Sequence, residues 1–172
     1  LNYLSFSYIP APQTIYENIY KLEPAEELIL DLKNFSITKQ KYWKLEKNSK
    51  VKNHNFHQEK IDKILINSVR SNLISDVPVG IFLSGGIDSS LIAKLASQFS
   101  KGKVNTFTIN FENKETKDHL FARRISKEIN SNHSEIIINS QMQLNALQDI
   151  LYFMDEPLSD SAVIPTYLIS KS

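Results

Sequence analysis

Val77-Pro78-Val79-Gly80-Ile81-Phe82-Leu83-Ser84-Gly85-Gly86-Ile87-Asp88-Ser89-Ser90 is the stretch on which the fold of this 172-residue chain turns. Val79 to Leu83 is a short apolar run bounded by Pro78 and a glycine pair, which predicts a buried strand. Asp88 to Phe99 then has helical patterning, and Gly102 just beyond it is a stop signal. The chain has only four glycines, and three of them, at 80, 85 and 86, fall in this stretch. So sparing a use points to positions where the backbone admits nothing larger. A strand, a tight glycine turn and a helix therefore follow in immediate succession.

The same alternation continues downstream. Val104–Phe111 reads as a strand, 117–129 as a helix, 135–138 as a strand and 142–154 as a helix, with a last helix from about Val163. Upstream, Ile61, Ile64, Leu65, Val69 and Leu73 recur at helical spacing and predict a helix over 56–74. Strands alternating with helices of this length indicate parallel βαβ units, and the nearly all-apolar strands fit a sheet covered on both faces. Before residue 50 the character differs. An irregular lead-in runs through Pro12, and Thr14-Ile15-Tyr16-Glu17 fits a capping box and predicts a short helix. Leu28–Leu30 and 35–38 flank Asp31–Asn34 as a hairpin would. Lys39 to Lys52 holds six lysines and the only Trp, at 43, and reads as a solvated linker with one anchoring aromatic. A boundary near residue 50 separates a linker region, 1–50, from an α/β domain, 51–172.

Composition narrows the function. A formal charge of +1, from twenty basic and nineteen acidic residues, lacks the basic excess of a general nucleic-acid or acidic-membrane binder. With no cysteine, the chain has no disulfide, thiolate metal site or cysteine nucleophile. No apolar run approaches the roughly 20 residues a membrane helix needs. The start at Leu1-Asn2-Tyr3, with no initiator Met and no signal-peptide core, reads as a segment of a longer polypeptide.

The loop Ser84–Ser90 lies at the carboxyl end of a strand, where open α/β sheets bind ligands. Two glycines let backbone N–H groups close on an anion, and the helix that follows adds free donors and the positive end of its dipole. Ser84, Ser89 and Ser90 offer hydroxyls to phosphate oxygens. A carboxylate beside a polyphosphate is repulsive unless a divalent cation lies between them, so Asp88 implies Mg²⁺. The patterns GxxxxGK[ST] and GxGxxG are absent, and Phe82 stands where GxSxG requires glycine. The plainer alternative is a tight turn in which Asp88 merely caps the helix.

The run S-G-G-x-D-S-S after an apolar strand resembles the pyrophosphate loop of the ATP pyrophosphatases. Its surroundings resemble one family within them, the glutamine-dependent asparagine synthetases. Asp76-Val77-Pro78-Val79-Gly80 is similar to their D-V-P-x-G lead-in and 107–112 to their second strand. His133-Ser134-Glu135 is similar to their H-x-E, and 155–157 with 164–168 to a later stretch. Residues 9–12, 14–16, 21–22 and 42–43 resemble the segment that joins their glutaminase and synthetase domains. The fold so implied is α/β, a parallel doubly wound sheet of the adenine nucleotide alpha hydrolase (PP-loop) type, truncated.

The resemblance implies ATP and Mg²⁺ as cofactors. Ser84, Gly85, Gly86, Asp88, Ser89 and Ser90 would hold the pyrophosphate portion, with Asp88 as the metal-bridging catalytic acid. Phe82 and Ile109 would contact adenosine. The implied reaction is amide formation through an acyl-adenylate, releasing AMP and pyrophosphate, with ammonia drawn from glutamine. The implied partners are ATP, an amino acid or other carboxylate and a glutaminase domain of the same polypeptide. The resemblance leaves room for a homodimer of the full protein and implies a cytoplasmic location, with neither nucleic acid nor membrane as partner. A second loop of the S-G-x-G-x-D-E type is expected after Ser172, so this stretch alone is expected to be inactive. Leu158-Ser159-Asp160-Ser161 stands where an arginine-bearing aspartate site is expected, which opens the acceptor to acids other than aspartate. A non-catalytic nucleotide-binding or protein-binding remnant, or another PP-loop amidotransferase with an acceptor other than aspartate, is the alternative.

Other residues have two readings each. His54 and His57 are spaced as a weak metal pair, but they lack a third ligand. His133 and Glu135 could touch substrate or lie at a strand edge. Asp155, Glu156 and Asp160 could wall the acceptor site or end a solvated helix. Arg123 and Arg124 read as surface charges, and the Tyr and Phe residues as core.

Overall fold

The computed structural model describes residues 2–45, 54–112 and 117–172, with 54–57 by backbone alone. The expected boundary near residue 50 and the His54/His57 side chains lie outside the described residues. Two compact units form, Leu1–Val51 with Tyr152–Ser161, and Lys52–Leu151 with Ala162–Ser172.

The first unit holds helix α1 (Asn2–Phe6) and a hairpin of β1 (Glu26–Leu30) and β2 (Ile37–Lys41). The hairpin is antiparallel, with Glu26 opposite Lys41 and Leu30 opposite Ile37. Asp31 and Asn34 shape its turn, accepting from the N–H of Lys33 (2.8 Å) and Ser36 (2.9 Å). Lys21 Nζ donates to the carbonyl of Ile9 (2.6 Å) and pairs with Glu156 (2.5 Å). Three expectations are corrected here. The lead-in carries α1, whose five residues are too few to show a period. No helix follows Thr14, because its hydroxyl accepts from Tyr16 N–H (3.0 Å) and donates to Ile19 carbonyl (2.8 Å), a turn that competes with helix capping. Trp43 is not a buried anchor, being 59% exposed.

The second unit is a βαβαβ run preceded by a helix and followed by two more. Its elements are α2 (His54–Asn72), β3 (Gly80–Phe82), α3 (Ile87–Phe99), β4 (Asn105–Phe111), α4 (Asp118–Glu128), β5 (Asn132–Ile138), α5 (Ser140–Phe153) and α6 (Val163–Lys171). The sheet is parallel with order β3-β4-β5, in register from Gly80, Asn105 and Asn132. This is the expected parallel α/β architecture. Its core is Leu83, Ala93 and Ala122, with Ile81, Ile125 and Ile129 packed against them. Alanines on α3 and α4, both fully buried, let the helices lie close to the sheet.

Two local features differ from the expectation. The strand before the glycine pair is not buried along its length, since Gly80 and Phe82 are exposed while Leu83 is sealed. The cause is that Phe82 faces a cleft described below. β5 begins three residues early, at polar residues that acquire partners from β4: Asn132 Nδ2 bonds Asn105 Oδ1 (3.2 Å), and His133 Nδ1 meets Thr106 Oγ1 (2.9 Å). α4 ends without glycine. Asn130, at φ 52°, takes the left-handed position, and Ser131 N–H reaches back to Ser126 carbonyl (3.0 Å) while Asn130 N–H bonds Lys127 carbonyl (3.2 Å).

Candidate functional site

The glycine loop is pinned at its root. Leu83 N–H donates to Phe107 carbonyl (2.8 Å), and Leu83 carbonyl accepts from the buried Thr108 hydroxyl (2.5 Å). The chain thus leaves β3 with both main-chain groups of its last apolar residue satisfied by β4. Two serines then close the loop. Ser84 and Ser89 hydroxyls lie 2.9 Å apart, Gly86 N–H donates to Ser84 Oγ (3.3 Å), and Ser89 Oγ donates to Gly86 carbonyl (3.2 Å). With Ser84 donating to Ser89, both hydroxyl protons are used inside the loop. Donors for an anion at the loop then come from main-chain amides rather than from these two hydroxyls.

The two glycines have different reasons to be glycine. Gly85 sits at φ 82°, and a Cβ there would meet Asp118 carbonyl, Phe121 Cβ and Ala122 N on α4. Gly86 has ordinary extended angles (φ −72°, ψ 165°), and a Cβ would meet only Ser84 Oγ, at 3.3 Å. Fold geometry therefore explains the first, whereas at the second the Ser84 hydroxyl is the one neighbour within 4 Å. Gly86 is the N-cap of α3, with no side-chain cap. Ser90 N–H makes the bond to Gly86 carbonyl (3.0 Å), so the amides of Ile87, Asp88 and Ser89 have no partner within the helix. Asp88 lies exposed in this first turn and is not the capping residue.

Beside the loop is a cleft of about 270 Å³ lined by Phe82, Leu83 and Ser84, by Phe107, Thr108, Ile109 and Phe111, by Asp118, and by Ala162, Pro165, Thr166 and Ile169 of the α6 region. Phe82 and Ile109, on neighbouring strands, are thus brought to one cleft with Ser84. Gly85, Gly86, Asp88, Ser89 and Ser90 form the adjoining loop and helix start. Asp118, Phe107 and Thr166 were missed. The only signal for Asp118 was topological: it opens the helix that leaves the carboxyl end of the second strand, on the same rim as the loop. Tyr167 OH holds α6 to α5 by donating to Asp149 (2.7 Å). A larger cavity of about 580 Å³ lies at the opposite rim, among Arg70, Lys101, Lys103 and the starts of β3 and β4. It has no glycine loop or helix start, so volume alone is not the guide to chemistry here.

The two readings of His133 and Glu135 resolve toward structure. Thr106, the register partner of His133, is buried and meets His133 Nδ1 and Ser131 Oγ, which reaches Ser126 of α4. Arg123 grips Glu135 with two hydrogen bonds, one Nη2 to Oε2 at 2.7 Å, so Arg123 is not a plain surface charge. Those bonds hold the Glu135 carboxyl below its ordinary value of 4.5, against the opposing effect of burial. Because the folded value is the lower one, the pair stabilises the fold above about pH 4.5 and loses that contribution as pH falls through the folded value. Unfolding midpoints of wild type and Arg123→Ala should therefore differ at neutral pH and converge in acid, as read by circular dichroism. Glu156, one of the three acids of the 155–160 stretch, is paired with Lys21 in the first unit.

The asparagine synthase family model matches residues 60–172. The glutamine-hydrolysing asparagine synthetase 1 of Bacillus subtilis is 30% identical over 169 residues, covering 98% of this chain and 26% of that protein. The glutamine-hydrolysing asparagine synthetase of Gallus gallus is 36% identical over 112 residues, covering 61% of this chain and 20% of that one. Among solved structures, the NMN synthetase of Francisella tularensis aligns with TM-score 0.42 at 23% identity, over 56% of this chain and 41% of that chain. The chain spans from a fifth to about a quarter of the length of these two curated relatives. With the family match covering the glycine loop and everything after it, the chain belongs to the asparagine synthase family.

Proposed function

We propose that this chain carries the ATP-binding rim of an amide-forming ligase that activates a carboxylate as an acyl-adenylate. The observation that supports the reading most is the pairing of an open helix start at Ile87–Ser89, behind a glycine where a Cβ would meet only the Ser84 hydroxyl, with the apolar cleft of Phe82 and Ile109. Amides at the helix start suit phosphate oxygens, and an aromatic and an aliphatic face suit a purine. Ser84 and Ser89 would act chiefly by holding the loop closed, and Ser90 by its place in the first helical turn. Among the described residues no group of three or more His, Asp or Glu could hold a metal ion. One carboxylate, Asp88, fits Mg²⁺ that arrives on the nucleotide and keeps phosphate and water ligands. When bound, that ion would neutralise charge on the phosphates. The chain's own contribution is positioning and main-chain charge stabilisation.

In the complete polypeptide, the acceptor carboxylate, the ammonia source in a glutaminase domain and the release of AMP and pyrophosphate follow from this reading as proposals. No arginine stands among Asp155–Pro165 to pair an α-carboxylate, which favours an acceptor other than aspartate. Among the described residues no helix is long and apolar enough to cross a membrane.

Isothermal calorimetry tests the rim directly. The chain should bind Mg·ATP weakly and bind ATP without Mg²⁺ more weakly still. Equal affinity with and without Mg²⁺ would remove the role given to Asp88.

A further inference from the structure

A continuous polar chain runs beneath α4, away from the cleft. Ser131 Oγ bonds Ser126 Oγ (2.9 Å), Thr106 Oγ1 lies 2.8 Å from Ser131 Oγ, and His133 Nδ1 lies 2.9 Å from Thr106 Oγ1. On its other side, His133 Nε2 is 3.4 Å from Glu135 Oε1, which Arg123 also holds. Thr106 and Ser126 are buried, at 0% and 4% exposure, while Ser131, His133 and Arg123 border a surface cavity of about 370 Å³. Two of its neighbours are orphans: His133 Nε2 and His119 Nδ1 are buried without a hydrogen-bond partner among the described residues. Such groups are costly and call for a reason.

The ring is oriented from its other nitrogen. Ser131 Oγ donates to Ser126 Oγ, so Thr106 donates to Ser131 and His133 Nδ1 donates to Thr106. The ring is then fixed between β4, through Thr106, and Glu135, while α4 is held at Arg123 by Glu135 and at Ser126 by Ser131. The first turn of α4 is the surface that Gly85 packs on, through Asp118, Phe121 and Ala122.

We propose that His133 is a positioning residue for the glycine loop, fastening α4 from below so that its first turn keeps Gly85 in place. The effect on nucleotide rests on the function proposed above, whereas the effect on the loop does not.

The test uses the 172-residue chain labelled with ¹⁵N-glycine, which yields four amide resonances, and follows them in wild type, His133→Leu and His133→Gln. Gly102, with nothing within 4 Å of a Cβ, is the internal control. In folded His133→Leu, the Gly85 and Gly86 resonances should move while Gly102 stays. Mg·ATP should bind about tenfold more weakly at unchanged stoichiometry. His133→Gln, whose amide can donate to Glu135, should recover part of both. Unmoved Gly85 and Gly86 would overturn the proposal. A drop in stoichiometry with unchanged affinity would also overturn it, since that reports lost stability alone. Should His133→Leu fail to fold, Glu135→Gln must move the same two resonances, and their constancy would overturn it equally. Glycine shifts that respond in a wild type that binds no Mg·ATP would uphold this inference and sink the proposed function instead.

Discussion

Replacing Gly85 with valine is expected to unfold much of the second unit, at a cost of about 2–4 kcal/mol, while the same change at Gly86 leaves the fold nearly intact. At Gly85 a β-branched residue must adopt φ 82° and press into the backbone of α4 at Asp118 and Ala122, which cannot yield as a side-chain tip would. At Gly86 the angles suit any residue, and the one close neighbour is the Ser84 hydroxyl. If the space above Gly86 is kept for phosphate, Gly86→Val should weaken Mg·ATP binding at least about tenfold with little change in unfolding midpoint. Thermal unfolding and calorimetry on the two variants separate the roles. Wild-type affinity in Gly86→Val would contradict the cradle, and a wild-type midpoint in Gly85→Val would contradict the packing.

Asp88→Ala, made in the complete polypeptide, should lower acid-dependent ATP–pyrophosphate exchange by about 10²–10³-fold. The carboxylate stands in the first turn of α3, unburdened by capping, where it is the acid nearest in sequence to the amides that would take the phosphates. The fold should not suffer, because Asp88 is exposed and the N-cap is Gly86. Exchange at full rate in the variant would remove Asp88 from the chemistry, whatever its effect on ground-state binding.

The sheet and its crossover helices were legible because each rests on local pattern: apolar runs of strand length, helical periodicity from Ile61 to Leu73, and a glycine pair between strand and helix. The loop residues were legible for the same reason. What the sequence hid depends on contacts distant in the chain. Asn132 and His133 read as loop until Asn105 and Thr106 of β4 are placed beside them. Arg123 reads as a surface charge until Glu135, twelve residues on, is folded under α4. Asp118 enters the cleft only because α4 starts on the rim where β3 ends. At Thr14 the motif was real but ambiguous, since one hydroxyl can cap a helix or close a turn, and here it closes a turn. The two loop glycines were read as one device, and the backbone angles separate them.

A crystal of this chain grown with Mg·ATP tests the central claim most directly. The account predicts phosphate density against the amides of Ile87, Asp88 and Ser89, with the base between Phe82 and Ile109. Nucleotide seated instead at the opposite rim, among Arg70, Lys101 and Lys103, with the glycine loop bare, would contradict it.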